Sequence, residues 1–232
     1  NEITTSPLIS TKGRETYPNW SPDGKNLYYC CSPKWDETIH PDSMRYSLLR
    51  IGFNAETKTW GKVDTIIDAN KLRKSVTFPK VSPDGKYILL TLSNHGCFSI
   101  FYNSADLYLL DLSTNKLEKA ELNSNQVESY HSWSSDGKWV VFSSKRLNGI
   151  HARPFISYFC NGHFRKPFVL PQKNPVFYES FLRNYNLPEL ITEPIDINPV
   201  QWADAILKTA KDASFDKNVN VDALSGASMI KK

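Results

Sequence analysis

The sequence predicts an all-β chain made of β-propeller blades: three four-stranded antiparallel repeats, followed by a proline-rich strap and a short helix. Three observations predict it. A nine-residue segment that reads as a hairpin turn recurs three times without gaps, and each copy is followed by the pattern of a second hairpin. Aromatic residues make up 12% of the 232 residues, and such side chains pack well on pleated surfaces.

The repeat reads Tyr17-Pro18-Asn19-Trp20-Ser21-Pro22-Asp23-Gly24-Lys25, then Phe78-Pro79-Lys80-Val81-Ser82-Pro83-Asp84-Gly85-Lys86, then Tyr130-His131-Ser132-Trp133-Ser134-Ser135-Asp136-Gly137-Lys138. Each copy runs into an apolar stretch: Asn26 to Cys30, Tyr87 to Thr91, and Trp139 to Ser143. The motif glycines stand 61 and 52 residues apart, a little longer than the roughly 40–50 residues of familiar propeller repeats, which implies longer loops. Asp-Gly after Pro or Ser specifies a tight turn, because glycine accepts a positive φ and aspartate bonds nearby backbone amides. Asp23, Gly24, Asp84, Gly85, Asp136 and Gly137 are therefore read as turn architecture, and a carboxylate repeated at a turn is a poor catalytic candidate.

A second hairpin completes each repeat. In the first it joins Tyr46–Ile51 to Trp60–Ile67 through a turn around Asn54 to Thr57. In the second, Asp106–Leu112 precedes the turn Ser113 to Lys116. In the third, Pro154–Phe159 meets Arg165–Leu170 through Asn161-Gly162. Two hairpins make a four-stranded unit, one propeller blade. These segments resemble the WD-repeat-like propeller repeats of the TolB family, whose signature is an aromatic, Pro, Trp, Ser, Pro, Asp, Gly, Lys run. The resemblance spans about residues 8 to 171, with Val81 in place of the usual Trp and Ser135 in place of Pro. It implies a bacterial, exported protein of the periplasm or cell envelope that binds a protein or peptide partner across the propeller face or channel. Three blades do not close a propeller, which takes 4–8, so further blades are expected from a longer chain, and Asn1 to Ser10 is assigned to the outer strand of a preceding blade.

The organisation that follows is residues 1–171 as blades of a partial propeller, 172–198 as an extended strap and 199–232 as a short helix with a flexible tail. Six prolines between Lys166 and Pro199 deny that stretch a long helix. Phe177, Tyr178, Phe181 and Tyr185 suit a short helical turn buried on the last blade. From Pro199 to Ala213, Trp202, Ala203, Ile206, Leu207 and Ala210 share one helical face, with Asn198 as the cap. Asp222-Ala223-Leu224-Ser225-Gly226-Ala227-Ser228 resembles the covalent flavin-attachment signature of FMN-binding domains. That resemblance would make Ser228 the acceptor of FMN, although the β-rich domain that precedes the signature in that family is missing here.

Other chemistry finds little support. The net charge of +4 is spread along the chain, so no nucleic-acid patch is expected, and no stretch reaches the roughly 20 apolar residues of a membrane span. Cys30, Cys31, Cys97 and Cys160 form no C-x-x-C pair. They read as free thiols, with a Cys97–Cys160 disulfide left open. Neither an H-E-x-x-H run nor a G-x-S-x-G elbow occurs, and no metal site is expected. Arg14, Glu15, Lys80, Glu128 and His131, just before or within each motif on the innermost strand, are the binding candidates. The loop from Ser32 to Met44 is a further candidate surface. The leading expectation is a binding or scaffold module without chemistry or cofactor. The alternatives are an electron-transfer component carrying FMN on Ser228, and a propeller-type hydrolase or lyase with a dispersed channel site.

Overall fold

A computed structural model describes residues 2–32, 40 and 43–224. They fall into two units, one formed by residues 12–190 and the other by residues through Thr11 together with those from Ile191 onward. In the second unit β1 (Glu2–Ile3) pairs in parallel with a short strand at Ser214–Phe215. The N-terminal segment therefore contributes two residues to a separate small sheet and is not a blade strand.

The larger unit holds three antiparallel sheets. The first blade is β2 (Arg14–Trp20), β3 (Asn26–Ser32), β4 (Ser47–Asn54) and β5 (Thr59–Ile67). A single helical turn, α1 (Ala69–Leu72), leads on from it. The second blade is β6 (Ser75–Val81), β7 (Tyr87–Ser93), β8 (Asp106–Asp111) and β9 (Leu117–Lys119). The third is β10 (Glu128–Trp133), β11 (Trp139–Ser144), β12 (Arg153–Cys160) and β13 (His163–Phe164), with β14 (Phe168–Val169) pairing along β12. The four-stranded blades are propeller architecture.

The three motif turns are superimposable in their bonding. Ser21 Oγ donates to Asp23 Oδ1 at 2.6 Å, and the Lys25 N–H donates to the same oxygen at 3.1 Å. Ser82 with Asp84 and Ser134 with Asp136 repeat both bonds. Gly24, Gly85 and Gly137 sit at φ 69°, 72° and 68°, where a side chain would be strained. Seryl and backbone donors hold Asp23 and Asp136 below the usual carboxylate range.

One feature of the inner strands is not visible in the motif. Tyr17, Phe78 and Tyr130 occupy left-handed backbone at φ 53°, 50° and 50°, each inside a register shift of the β2–β3, β6–β7 and β10–β11 ladders. A bulge that forces an aromatic into this region costs on the order of 1–3 kcal/mol. The return is a run of ring contacts across the blades: Tyr17 to Phe78, tilted, at 4.1 Å between centroids and Phe78 to Tyr130, edge-on, at 4.8 Å.

The continuous apolar run of β7 has a direct explanation, since its alternate residues face two neighbouring blades. Ile88, Leu90 and Leu92 join Tyr28, Cys30 and Leu48 in the core between the first and second blades. Leu89 points the other way, toward Val140, Phe142 and Phe155 of the third. Polar ties cross the same seams, from the Val81 N–H to Asn19 Oδ1 at 2.8 Å and from Trp133 Nε1 to the Lys80 carbonyl at 3.0 Å.

The third blade is hydrogen-bonded to the backbone of the strap. Ser132 Oγ donates to the Pro188 carbonyl at 2.9 Å and Ser143 Oγ to that of Asn186 at 3.1 Å. The Tyr185 N–H donates to the Ala152 carbonyl at 3.2 Å. Arg153, only 1% exposed, donates to the carbonyls of Arg183 (2.5 Å), Tyr178 (3.3 Å) and Phe181. The short helix α2 (Phe177–Ser180) lies in this segment. The helix α3 (Pro199–Leu207) belongs to the other unit and starts with a capping box between Asn198 and Gln201. Its apolar side chains Trp202, Ile206 and Leu207 are exposed. No helix among the described residues is long and apolar enough to cross a membrane, and all four cysteines are free.

Candidate functional site

The inner-strand candidates do not converge on one site. Arg14 is exposed, Glu15 and Lys80 are half-buried, and Glu128 and His131 are fully buried. The Glu128 carboxylate is filled by its own neighbours. Oε1 accepts from Ser124 Oγ (2.6 Å), Ser144 Oγ (2.8 Å) and Arg146 Nη2 (3.0 Å), and Oε2 accepts from the Ser124 N–H (3.0 Å). Arg146 in turn stacks over Phe155 at 4.6 Å. This is an internal staple, fully buried and facing no solvent.

His131 is likewise interior. Its Nε2 lies 2.9 Å from the Leu89 carbonyl and so carries the proton, while Nδ1 is buried without a hydrogen-bond partner. Burial pushes its pKa down to about 4, against the pull of the Leu89 carbonyl and with help from the Lys80 charge. The imidazole is neutral at physiological pH and ties blade three to blade two. The flavin candidate Ser228 lies outside the described residues, as does most of the loop between Ser32 and Met44.

A pair that the sequence did not single out has the geometry for acid–base work. His163 opens β13 directly after the Asn161-Gly162 turn, and Glu121 follows the last strand of the second blade. His163 Nδ1 lies 2.9 Å from Glu121 Oε1, and the other oxygen accepts the Phe164 N–H at 3.2 Å. Burial works to raise the Glu121 carboxyl, but the imidazole and the backbone donors outweigh it and hold it below the usual range. An imidazole that donates through Nδ1 keeps the Nε2 lone pair free to accept a proton. The pair lines a cleft of about 380 Å³ between the second and third blades, with Tyr87, Asp111, Lys119 and Asn161 among its walls. Among the described residues, no three His, Cys, Asp or Glu side chains are grouped to hold a metal ion.

The sequence signal for this pair was faint. Glu121 and His163 are 42 residues apart, in no shared motif, and only the packing of one blade's outer hairpin beside the next blade's tail brings them together.

No protein-family model matches the chain, and no curated protein sequence matches it. Solved structures do. An oligogalacturonate lyase in complex with manganese is 13% identical with a TM-score of 0.50, over 70% of this chain and 43% of that one. The β-propeller domain of the Trilobed protease from Pyrococcus furiosus is 16% identical with a TM-score of 0.40, over 69% and 44%. A prolyl endopeptidase is 17% identical with a TM-score of 0.44, over 68% and 22%. The chain thus spans less than half the length of each of these structures. The likeness establishes the propeller fold. It also corrects the expectation of a non-catalytic binding or scaffold module, which rests on the resemblance to TolB-type repeats. The neighbour at TM-score 0.50 is an enzyme, a lyase, so blades of this kind are no mark of a protein without chemistry.

Proposed function

We propose that the chain is part of a propeller-type hydrolase or lyase, with His163 as general base and Glu121 as the residue that orients it. The observation that carries this reading is the 2.9 Å contact between a solvent-facing imidazole and a carboxylate inside a cleft. As a hydrolase, His163 Nε2 would take a proton from water as the water oxygen bonds to the scissile carbonyl carbon, and the imidazolium would give that proton to the leaving nitrogen or oxygen as its bond to that carbon breaks. As a lyase, it would take the carbon-bound proton beside a carboxylate. The C–H electron pair then becomes the double bond, and the C–O bond breaks with its electrons leaving on oxygen. In both cases Glu121 holds the Nδ1–H tautomer and stabilises the imidazolium that forms. The contact also ties two blades together, but a pair exposed by 76% and 51% adds little stability. Membership of the TolB-like repeat family, and with it a periplasmic or envelope location, belongs to this proposal as well and is supported by the three motif copies.

The test is turnover of an oligogalacturonate and of proline-containing peptides by the purified chain, beside His163→Gln and Glu121→Gln. Loss of at least about a hundredfold in His163→Gln, with a smaller loss in Glu121→Gln, matches a general base and its orienter. Turnover that survives both substitutions removes the pair from the chemistry.

A further inference from the structure

A second cavity, sharing no residue with the His163 cleft, lies where the Ser99–Phe101 turn of the second blade, the β11–β12 loop of the third and the strap meet. Its volume is about 320 Å³, at the lower end of the range for small-molecule sites. Ile100 and Ala152 are buried and form its apolar floor. Phe101, Tyr130 and Tyr185 supply rings, with Phe101 73% exposed. Lys145 is the charged side chain of the lining, which includes no carboxylate, and its Nζ stands 5.7 Å from the Phe101 ring centre.

The strap wall is held in place before any ligand arrives. The Ala152 N–H donates to Asn184 Oδ1 at 2.7 Å, Tyr185 donates to the Ala152 carbonyl, and Asn186 accepts from Ser143. Arg153 ties the carbonyls just upstream. A wall fixed in this way loses little freedom on binding, which is where preorganised sites gain affinity.

An apolar floor, aromatic walls and a lone ammonium select for a small molecule that is flat, apolar and anionic. We propose that this cavity binds a small aromatic carboxylate, with the ring against Phe101, Tyr130 and Tyr185 and the carboxylate paired with Lys145. A neutral sugar would offer the ammonium no opposite charge, and a dicarboxylate would face the apolar floor with its second charge. The proposal is independent of the reading of His163.

The probe is 3-phenylpropionate, titrated against the whole chain by calorimetry, with 3-phenylpropan-1-ol as the uncharged counterpart. Saturable one-site binding is expected. Lys145→Met should weaken the carboxylate at least about tenfold and leave the alcohol unchanged, whereas Phe101→Ala should weaken both. Phe101 is exposed and Lys145 half-buried, and unchanged melting temperatures confirm that the variants fold. Absence of saturable binding to the unaltered chain overturns the proposal. So does binding that both substitutions leave intact, or tighter binding of galacturonate than of 3-phenylpropionate.

Discussion

Replacing Glu128 by glutamine preserves shape and removes the charge at the centre of the third blade's staple. Glutamine keeps one acceptor oxygen, which can still receive Ser124 Oγ, Ser144 Oγ and Arg146. Its amide nitrogen then faces the Ser124 N–H that Oε2 accepted at 3.0 Å, donor against donor. Losing that bond strands a backbone donor at a cost of about 1–3 kcal/mol, and the bond to Arg146 falls from charged to half-charged, roughly 1 kcal/mol more. Arg146 keeps the Leu122 carbonyl at 2.5 Å and the two phenyl faces beneath it, which limits the damage. The sum is about 3 kcal/mol. For a unit of this size each kcal/mol shifts the midpoint by about 2–4 °C, so thermal unfolding followed by circular dichroism should show a fall of about 6–12 °C. A midpoint within about 2 °C of the original would refute the staple.

Further outcomes follow from other parts of the molecule. Phe78→Ala removes the middle ring of the inter-blade contacts and should cost about 3–5 kcal/mol in urea unfolding; a loss below about 1 kcal/mol would show that the rings only adjoin. His131 gives the chain a pH dependence whose sign is fixed. The unfolded imidazole takes a proton near its ordinary 6.5 and the folded one only near 4, so stability present above 6.5 declines as pH falls toward 4 and then levels off. The full difference is about 3 kcal/mol, and in His131→Gln that part of the slope should vanish from urea midpoints measured across the window. Arg153→Met strips three carbonyls of their donor. Hydrogen exchange should then speed up at least tenfold over residues 177–186 while the core of β11 stays protected. The Cys31 thiol, pushed up to about 11 by burial and by the Glu15 carboxylate, should react with a disulfide reagent at neutral pH far more slowly than a free thiol does, and reach that rate on unfolding.

Much of the fold could be read from the motif, because its chemistry is local. Ser, Asp, Gly and Lys at fixed offsets make the same turn three times, and the apolar run that follows must be a strand facing two neighbours. Two strong features were hidden. The left-handed backbone of Tyr17, Phe78 and Tyr130 goes against the preference of aromatic residues and is imposed by the bulge, so the sequence displays the rings but not their conformation. Arg153 shows the same limit, since nothing nearby in sequence tells that a guanidinium will be buried against the carbonyls of a strap about 30 residues on. The candidate site was the least legible part. The repeat drew attention to the innermost strand, where Glu128 and His131 proved to be internal ties. The His163–Glu121 pair sits on the outer hairpins, where register between blades, and no motif, decides which side chains meet.

The most direct test is whether these blades act as an enzyme. The measurement is mass spectrometry of an oligogalacturonate after incubation with the purified chain and with His163→Gln. The account predicts a shortened product, either unsaturated or carrying the elements of water, that the unaltered chain forms and the variant forms at least about a hundredfold more slowly. Substrate recovered unchanged, or a product that forms equally fast with the variant, would contradict it.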